Sequence, residues 1–273
     1  MVGAGRGRVP RLRRLRKKDR PGHPGVRAGS GSPRRSRCRR SRHYYCRRGC
    51  SRLLTVARAN TRGPRIDRIV LAGLTDSDGS DLRAGDSREA ERFSACDLSG
   101  RDLTGIGLQE CELRGVSLSD TQLRGASVAD CVARELHAAV FCAPRSSWRD
   151  VRVEHSRLGS LELYEATLRS VHIDESKLDF VNLRGATLID VLLSNCIIEE
   201  LDLGGATVQR FEMRDCRVGT LDVTRATLKD ADLRSSDFSA IHGLEGLRSA
   251  TIDDAQLSLL APVFAAHLGI IVT

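Results

Sequence analysis

The sequence predicts an all-β protein that winds as a four-sided parallel β-helix solenoid, and three observations support this fold class. An apolar residue recurs at every fifth position from Phe93 to Phe238. The residue two positions before each of these is usually small or apolar, and its size varies with a period of twenty residues. An α-helix has a period of about 3.6 residues and a plain strand a period of about 2, so neither produces this pattern.

Each five-residue unit is predicted to be a short strand followed by a turn. Residues two apart in an extended segment point to the same side, so the two apolar positions of each unit face the interior. The residue between them is mostly polar, as Asp202 is in "LDL", and must face outward. The last two positions are often charged or glycine, as in "RG" and "GG", which suits a corner.

The period of twenty residues indicates that four sides complete one coil. Small inward residues occupy two opposite sides and bulky ones the other two. An interior packed to normal density cannot hold four bulky residues in one layer, so a four-sided tube requires this alternation. The small rows are Ala166, Ala186, Ala206 and Ala226, and Ser156, Ser176, Cys196, Cys216 and Ser236; the bulky rows are Val151, Val171, Val191 and Phe211, and Leu161, Val181, Leu201 and Leu221.

The β-helix is predicted to span residues 91–240, with residues 64–90 as an N-terminal cap. One stretch, 133–147, is expected to form a bulge or loop, because the apolar series weakens to alanine there and Pro144 interrupts it. The count of five residues survives even through this stretch.

Residues 241–273 are predicted to form a short helical cap over the last coil. Asp253 is the expected N-cap, and Gly269 is the expected end of the helix. Pro262 is expected to kink this helix or to begin a second short one.

Residues 1–63 are predicted to be a disordered, Arg-rich arm. Residues 1–70 hold more than half of the 44 Lys and Arg residues but only two of the 35 acidic ones, so the rest of the chain is net acidic although the whole carries +9. The arm has too little apolar surface to offset the entropy lost on ordering. Its cysteines and histidine match no common zinc-site spacing, so no metal site is expected at Cys38, His43, Cys46 and Cys50.

Three interpretations of this arm stay open. In the first, the arm is a polybasic tail that contacts nucleic acid non-specifically. In the second, it is a solvated tail without a partner. In the third, it is translated non-coding sequence that lies upstream of the true start codon. The protein is expected to be cytoplasmic and not to enter a membrane, because no secretory signal and no run of about 20 apolar residues is present.

The repeat resembles that of the pentapeptide repeat family, whose motif is A-[DN]-L-x-x. The unit "ADLRS" at 231–235 matches it, and "CDLSG", "CELRG", "VNLRG" and "LDLGG" match more loosely. The resemblance covers about 91–240 and implies a right-handed, four-sided β-helix. Some members of the family dimerise at their C-terminal ends, which implies a homodimer through 241–273. Some imitate the charge of duplex DNA and bind type II topoisomerases such as gyrase.

A non-enzymatic protein-interaction scaffold with an unidentified protein partner is the expected function. The sequence contains no nucleophile motif, paired acid and base or phosphate loop, and its histidines show no ligand spacing, so neither an enzyme nor a cofactor is expected. A tube filled with side chains also has no natural pocket. The alternative is a DNA-mimicking protein that binds or protects gyrase.

Four outward carboxylates on one side form the candidate interaction surface: Asp102, Glu162, Asp202 and Asp222. Asn182 interrupts this row, and another side carries Arg157, Lys177 and Arg217. DNA presents one negative charge per about 1.7 Å, so these residues only partly support an imitation of its charge.

Overall fold

The computed structural model describes residues 61–272, and this part of the chain is a parallel β-solenoid with one C-terminal helix. Most of the predicted basic arm, with Cys38, His43, Cys46 and Cys50, lies outside the described residues. The predicted fold class is confirmed.

Nineteen short strands and one helix make up the described chain. They are β1 (Thr75–Ser77), β2 (Ser87–Glu89), β3 (Glu91–Ser94), β4 (Gly107–Gln109), β5 (Glu112–Arg114), β6 (Thr121–Gln122), β7 (Ser127–Arg134), β8 (His137–Cys142), β9 (Ser147–Glu154), β10 (Arg157–Glu162), β11 (Thr167–Asp174), β12 (Lys177–Asn182), β13 (Thr187–Ser194), β14 (Ile197–Asp202), β15 (Thr207–Arg214), β16 (Arg217–Asp222), β17 (Thr227–Asp232), β18 (Asp237–His242), β19 (Ala250–Thr251) and α1 (Asp254–His267).

The strands form two sheets in which every pair is parallel and shifted along the chain by one coil. The 12-stranded sheet contains β1 to β5 and the odd-numbered strands from β7 to β19, and the 7-stranded sheet contains the even-numbered strands from β6 to β18. In the regular coils the register advances by twenty residues: Thr167 lies beside Thr187, and Leu178 beside Ile198. The predicted period is therefore the period of the fold.

One coil shows how four sides arise from two strands. We name the sides by their inward residues in this coil: the first is centred on Ile173, the second on Leu178, the third on Leu183 and the fourth on Leu188. β11 bends between the fourth and first sides, and β12 covers the second and third. The corner that follows the third side has a positive φ, which Gly185 adopts at 64° without steric cost.

The interior alternates small and bulky residues as the sequence predicts. The inward Leu201 of the third side is fully buried, and the inward Ala206 of the fourth side is 1% exposed. On the second side the hydroxyl of Ser156 donates to the carbonyl oxygen of Glu154 at 2.9 Å and accepts from the N–H of Leu136 at 3.1 Å, so this buried polar group is satisfied.

The bulge or loop expected at 133–147 is wrong, because the coils continue through it without a change of register. Trp148 and Phe141 are buried in the same coil as these alanines, with their ring centroids 6.0 Å apart, and an interior cavity of about 50 Å³ remains beside them. The indole N–H of Trp148 donates to the hydroxyl of Ser146 at 2.7 Å, which satisfies it inside the core. Pro144 lies in the turn after the third side, where its missing N–H removes no bond of the ladder.

The C-terminal end is covered by the 3-10 turn Leu244–Leu247 and by α1. The side chain of Asp253 accepts from the N–H of Gln256 in a capping box, which confirms the predicted N-cap. The side-chain amide of Gln256 donates to the carbonyl oxygens of Leu233 and Ser236, both at 2.6 Å, and so ties the helix to the last coil. Of the described helices, none has the length and apolar character needed to cross a membrane.

α1 continues through Pro262 as a single helix, so the second short helix expected there is wrong, and the kink stays a prediction. Gly269 follows the helix with a φ of 69°, the left-handed conformation expected where a helix ends.

Strand pairing extends beyond the range 91–240 at both ends. β1 pairs with β3, and β19 pairs with β17. Residues 61–74 contain no strand or helix. We call residues 61–70 the strap, because they run along the outside of the coils.

Candidate interaction surface

The four predicted carboxylates lie in a single row on the third side. Residues of this row stack one per coil, because Glu162 is in register with Asn182, Asn182 with Asp202, and Asp202 with Asp222. Asp102 belongs to the same row through Gln122 and Cys142. We call it the third-side row: Asp102, Gln122, Cys142, Glu162, Asn182, Asp202, Asp222 and His242.

Most of these acidic side chains hold the turn that follows them. The residue two positions after each of these carboxylates lies in the turn. Its backbone N–H donates a hydrogen bond to the carboxylate, as in a turn capped by a side chain. The donor–acceptor distances are 3.0 Å from Thr104 to Asp102, 2.8 Å from Gly204 to Asp202 and 2.8 Å from Thr224 to Asp222. At Pro144 the N–H is missing, and the residue two before it is Cys142, which has no capping oxygen. The Asp or Asn of each such unit therefore has a structural role.

Arg184 further reduces the negative charge that this row presents. Its Nε donates to Asp202 Oδ2 at 2.5 Å, and its Nη2 lies 3.4 Å from Asp222 Oδ2. Asp202 is only 5% exposed. Glu162 accepts from the hydroxyl of Ser160 at 2.6 Å and from the side-chain amide of Asn182 at 2.7 Å. A partner on this side therefore meets a mixed polar surface.

Replacing Asp202 separates the turn-capping role from charge. We expect Asp202→Ala to lower the free energy of unfolding by about 2 kcal/mol, because the buried N–H of Gly204 loses its acceptor. Asp202→Asn keeps a side-chain oxygen in place, as Asn182 does one coil earlier, and is expected to cost about half as much. Urea denaturation of both variants measures this difference, and equal costs would contradict a capping role.

Asp222 of this row makes stability depend on pH. Burial opposes ionisation of Asp222, but hydrogen bonds from Thr224 and the nearby charge of Arg184 outweigh it and hold its pKa below the usual value. A carboxylate with a lowered pKa in the folded state contributes stability above its unfolded pKa of about 3.9, and this contribution is lost as the pH falls through the folded pKa. We therefore expect the melting temperature to fall below about pH 4, and to fall less in Asp222→Asn.

The structure brings together a second acidic row that sequence reasoning missed. It lies on the corner between the fourth and first sides, again with one residue per coil, and all its members have a positive φ. We call it the corner row: Glu110, Asp130, Asp150, Ser170, Asp190, Arg210 and Asp230. The sequence contained a signal for this row, because its acidic residues recur with the same period of twenty residues. Asp also tolerates the left-handed conformation better than most residues do.

Asp190 shows how the corner row is held. It accepts from Arg210 Nε at 2.5 Å and Nη2 at 2.6 Å, and from the backbone N–H of Arg65 in the strap at 2.9 Å. The hydrogen bond from Arg210 has the largest effect on the pKa of Asp190 and holds it below the usual value. The hydrogen bond from Arg65 lowers this pKa less, and burial raises it. Farther along the row, Arg149 lies 3.1 Å from Asp130.

Charges on the first side alternate in a ladder. Glu112 pairs with Arg92 and with Arg134, both at 2.7 Å, and Arg134 pairs with Glu154 at 2.8 Å. None of the three charged surfaces is a continuous anionic stripe, because each contains arginine or is bridged by it.

Metal-binding and thiol chemistry have little support in the described residues. Between 61 and 272 no group of three or more His, Cys, Asp or Glu side chains is arranged to hold a metal ion. Cys196 and Cys216 are buried and unbonded to each other, one coil apart on the second side. They pack there as small hydrophobic residues.

The fold and its rows define a class of protein: a four-sided solenoid of five-residue units with one outward row per side. The family model for pentapeptide repeats matches residues 92–127 with 8 copies. The chain therefore contains pentapeptide repeats over residues 92–127.

Solved structures of this class are similar at low identity. Full-length QnrB1, a plasmid-mediated fluoroquinolone resistance protein, is 21% identical, with 69% of this chain and 94% of QnrB1 covered and a TM-score of 0.31. HetL, a pentapeptide repeat protein involved in heterocyst differentiation regulation from the cyanobacterium Nostoc sp. strain PCC 7120, is 18% identical, with 59% and 87% covered and a TM-score of 0.18. A search of curated proteins gave no significant match.

Proposed function

We propose that this chain is a non-enzymatic protein-interaction scaffold that binds another protein through its in-register outward rows. The observation that carries this proposal is that each five-residue unit has separate positions for the interior and for the surface. Two of every five residues fill the interior, and the residue between them repeats on the surface once per coil. A rigid array of side chains about 4.8 Å apart offers a partner a regular surface that is set by the fold.

Two surfaces of opposite charge, on neighbouring sides, are candidates for the contact. The third-side row presents Asp102, Glu162, Asp202 and Asp222. Arg184 pairs with the last two, and the first two carry no ion pair within the described residues. The second side presents Arg157, Lys177 and Arg217 in register. A protein with a charged surface of the opposite sign fits either one.

A pull-down with matched variants tests the proposal. The full chain is compared with Asp102→Asn/Glu162→Gln, which removes charge from the third side but keeps its hydrogen-bond acceptors. The control is Arg157→Gln/Lys177→Gln, which changes the second side by the same number of charges. We expect one variant to lose a specific protein that the other retains. Equal capture of that protein by both variants would contradict binding through these rows.

The alternative of DNA mimicry is tested on the same proteins. Inhibition of gyrase supercoiling at micromolar protein, lost in Asp102→Asn/Glu162→Gln, would replace the scaffold proposal by a topoisomerase-binding one. The arginines that interrupt or bridge each acidic row favour the scaffold, because an imitation of DNA needs closely spaced, unpaired negative charges.

We also propose that α1 forms a homodimer contact. Its residues Leu259 and Val263 lie four residues apart on one face and are 72% and 41% exposed, although Gln256 and Leu260 are buried. An exposed apolar helix face of this kind is typical of an interface. Light scattering is expected to give twice the chain mass of 29.9 kDa, and Leu259→Glu to give the monomer. The neighbouring Ser258→Glu is the control, and a monomeric wild type would contradict the proposal.

A further inference from the structure

The strap follows the corner row in the direction opposite to the coils. The backbone N–H of Arg62 donates to Asp230 Oδ1 at 3.4 Å, and that of Arg65 to Asp190 Oδ1 at 2.9 Å. Asp67 to Val70 then line a cavity together with Asp150, Asp130 and Glu110. The strap therefore passes over successive coils from the C-terminal end of the solenoid towards β1.

The spacing of the strap matches the spacing of the coils. Arg62 and Arg65 are three residues apart, which is about 9.3–10 Å in an extended chain. Asp230 and Asp190 are two coils apart, which is about 9.6 Å. The next step of the same register brings Arg68 to Asp150, and both residues line the same cavity.

The corner row contacts the main chain of the strap. The donors are backbone N–H groups, which every residue except proline supplies. The side chains of Arg62, Arg65 and Arg68 are exposed, whereas Ile66 and Ile69 are half-buried against the coils. Such a site selects an extended conformation and a positive net charge more than it selects particular side chains.

The strap satisfies only part of this row. A cavity of about 310 Å³ remains between residues 67–70 and the carboxylates of Glu110, Asp130 and Asp150. Within residues 61–272, no group of the strap donates a hydrogen bond to these three carboxylates, of which Asp130 accepts from Arg149 at 3.1 Å and Glu110 has no ion pair. A polypeptide segment with further hydrogen-bond donors facing these carboxylates would therefore bind the corner row better than the strap does.

We propose that the corner row is a docking track for an extended, basic polypeptide segment of about ten residues, which a partner supplies and which the strap replaces in the free protein. The carboxylates at two-coil intervals accept backbone N–H groups at three-residue intervals, and the acidic row attracts the basic segment. A tethered strap acts at an effective concentration of the order of millimolar, so it excludes a weak ligand present at micromolar concentration. The track uses no residue of the second or third side. A negative result for the track would therefore not contradict the scaffold proposal.

The test uses the full chain and a fluorescein-labelled peptide with the strap sequence TRGPRIDRIV. In Arg62→Pro/Arg65→Pro the strap loses both N–H donors, whereas Arg62→Gln/Arg65→Gln loses the same charges and keeps the donors. We expect the peptide to bind the proline variant at least about tenfold more tightly than the glutamine variant or the wild type, because only the proline variant frees the track. Fluorescence anisotropy measures this affinity, and circular dichroism confirms that each variant is folded.

A second peptide separates backbone recognition from general attraction between charges. It carries N-methylarginine at its second and fifth positions, which removes the two donors and retains both charges. We expect it to bind the proline variant at least about tenfold more weakly than the unmodified peptide, because two hydrogen bonds to charged acceptors are lost. Equal binding of the two peptides, equal binding of one peptide to all three proteins, or no binding to the folded proline variant would each overturn the proposal.

Discussion

Leu203→Asp is expected to abolish folding. Leu203 is 1% exposed at the centre of the third side, and its N–H bonds to the next coil at Asp222. The substitution removes about 2 kcal/mol of apolar burial and places a carboxylate in the stack at an effective cost of several kcal/mol. Because coils stabilise their neighbours, the loss extends to both sides of the substituted coil. The sum is comparable to the whole stability of a typical domain, about 5–15 kcal/mol.

Leu203→Met is the matched control, since it conserves volume and usually costs less than about 1.5 kcal/mol. Far-UV circular dichroism and thermal melting of the purified chains measure both effects. A wild-type melting curve for Leu203→Asp would mean that this side chain does not lie inside a closed stack.

Gly246→Ala is expected to detach the C-terminal end from the last coil. Gly246 is buried in the turn Leu244–Leu247, and a Cβ there would lie 1.9 Å from the carbonyl oxygen of Val223. That oxygen belongs to the backbone of the solenoid, so the turn must move away. We expect the free energy of unfolding to fall by about 3 kcal/mol, at the upper end of the usual cost of overpacking.

Glu245→Ala is the control for this prediction, because Glu245 is exposed in the same turn and its replacement should change stability by less than about 0.5 kcal/mol. Hydrogen exchange identifies where the effect lies. Faster exchange confined to residues around β18 and α1 supports detachment of the end, and unchanged stability of Gly246→Ala would contradict this packing.

The sequence predicts the coil well because each coil repeats the same packing problem. The alternation of Leu201 with Ala206 follows from interior volume alone, and a count of residues was sufficient to find it. The prediction of a bulge at 133–147 is wrong because several side chains of one coil together occupy the interior volume of that coil. The alanines were considered one at a time, whereas the buried rings of Trp148 and Phe141 enter the same coil from neighbouring sides.

The candidate site was predictable in position but not in role. The outward direction of Asp202 follows from strand alternation, and the structure places it there. That its carboxylate accepts the N–H of Gly204 depends on turn geometry, which spacing alone does not reveal. The strap escaped prediction because residues 61–70 have no internal period, and its register exists only relative to the coils that it crosses.

Disulfide trapping measures the winding of the chain most directly. Thr207 and Thr227 are exposed and lie side by side in β15 and β17, one coil apart. Adjacent strands are about 4.8 Å apart, within the range that a disulfide can bridge. Thr207→Cys/Thr227→Cys is therefore expected to cross-link rapidly on mild oxidation, with the linked peptides identified by mass spectrometry. The control Thr207→Cys/Lys229→Cys is shifted by two residues and is expected to cross-link slowly. Faster cross-linking of the control would contradict a coil of twenty residues and the arrangement of rows that depends on it.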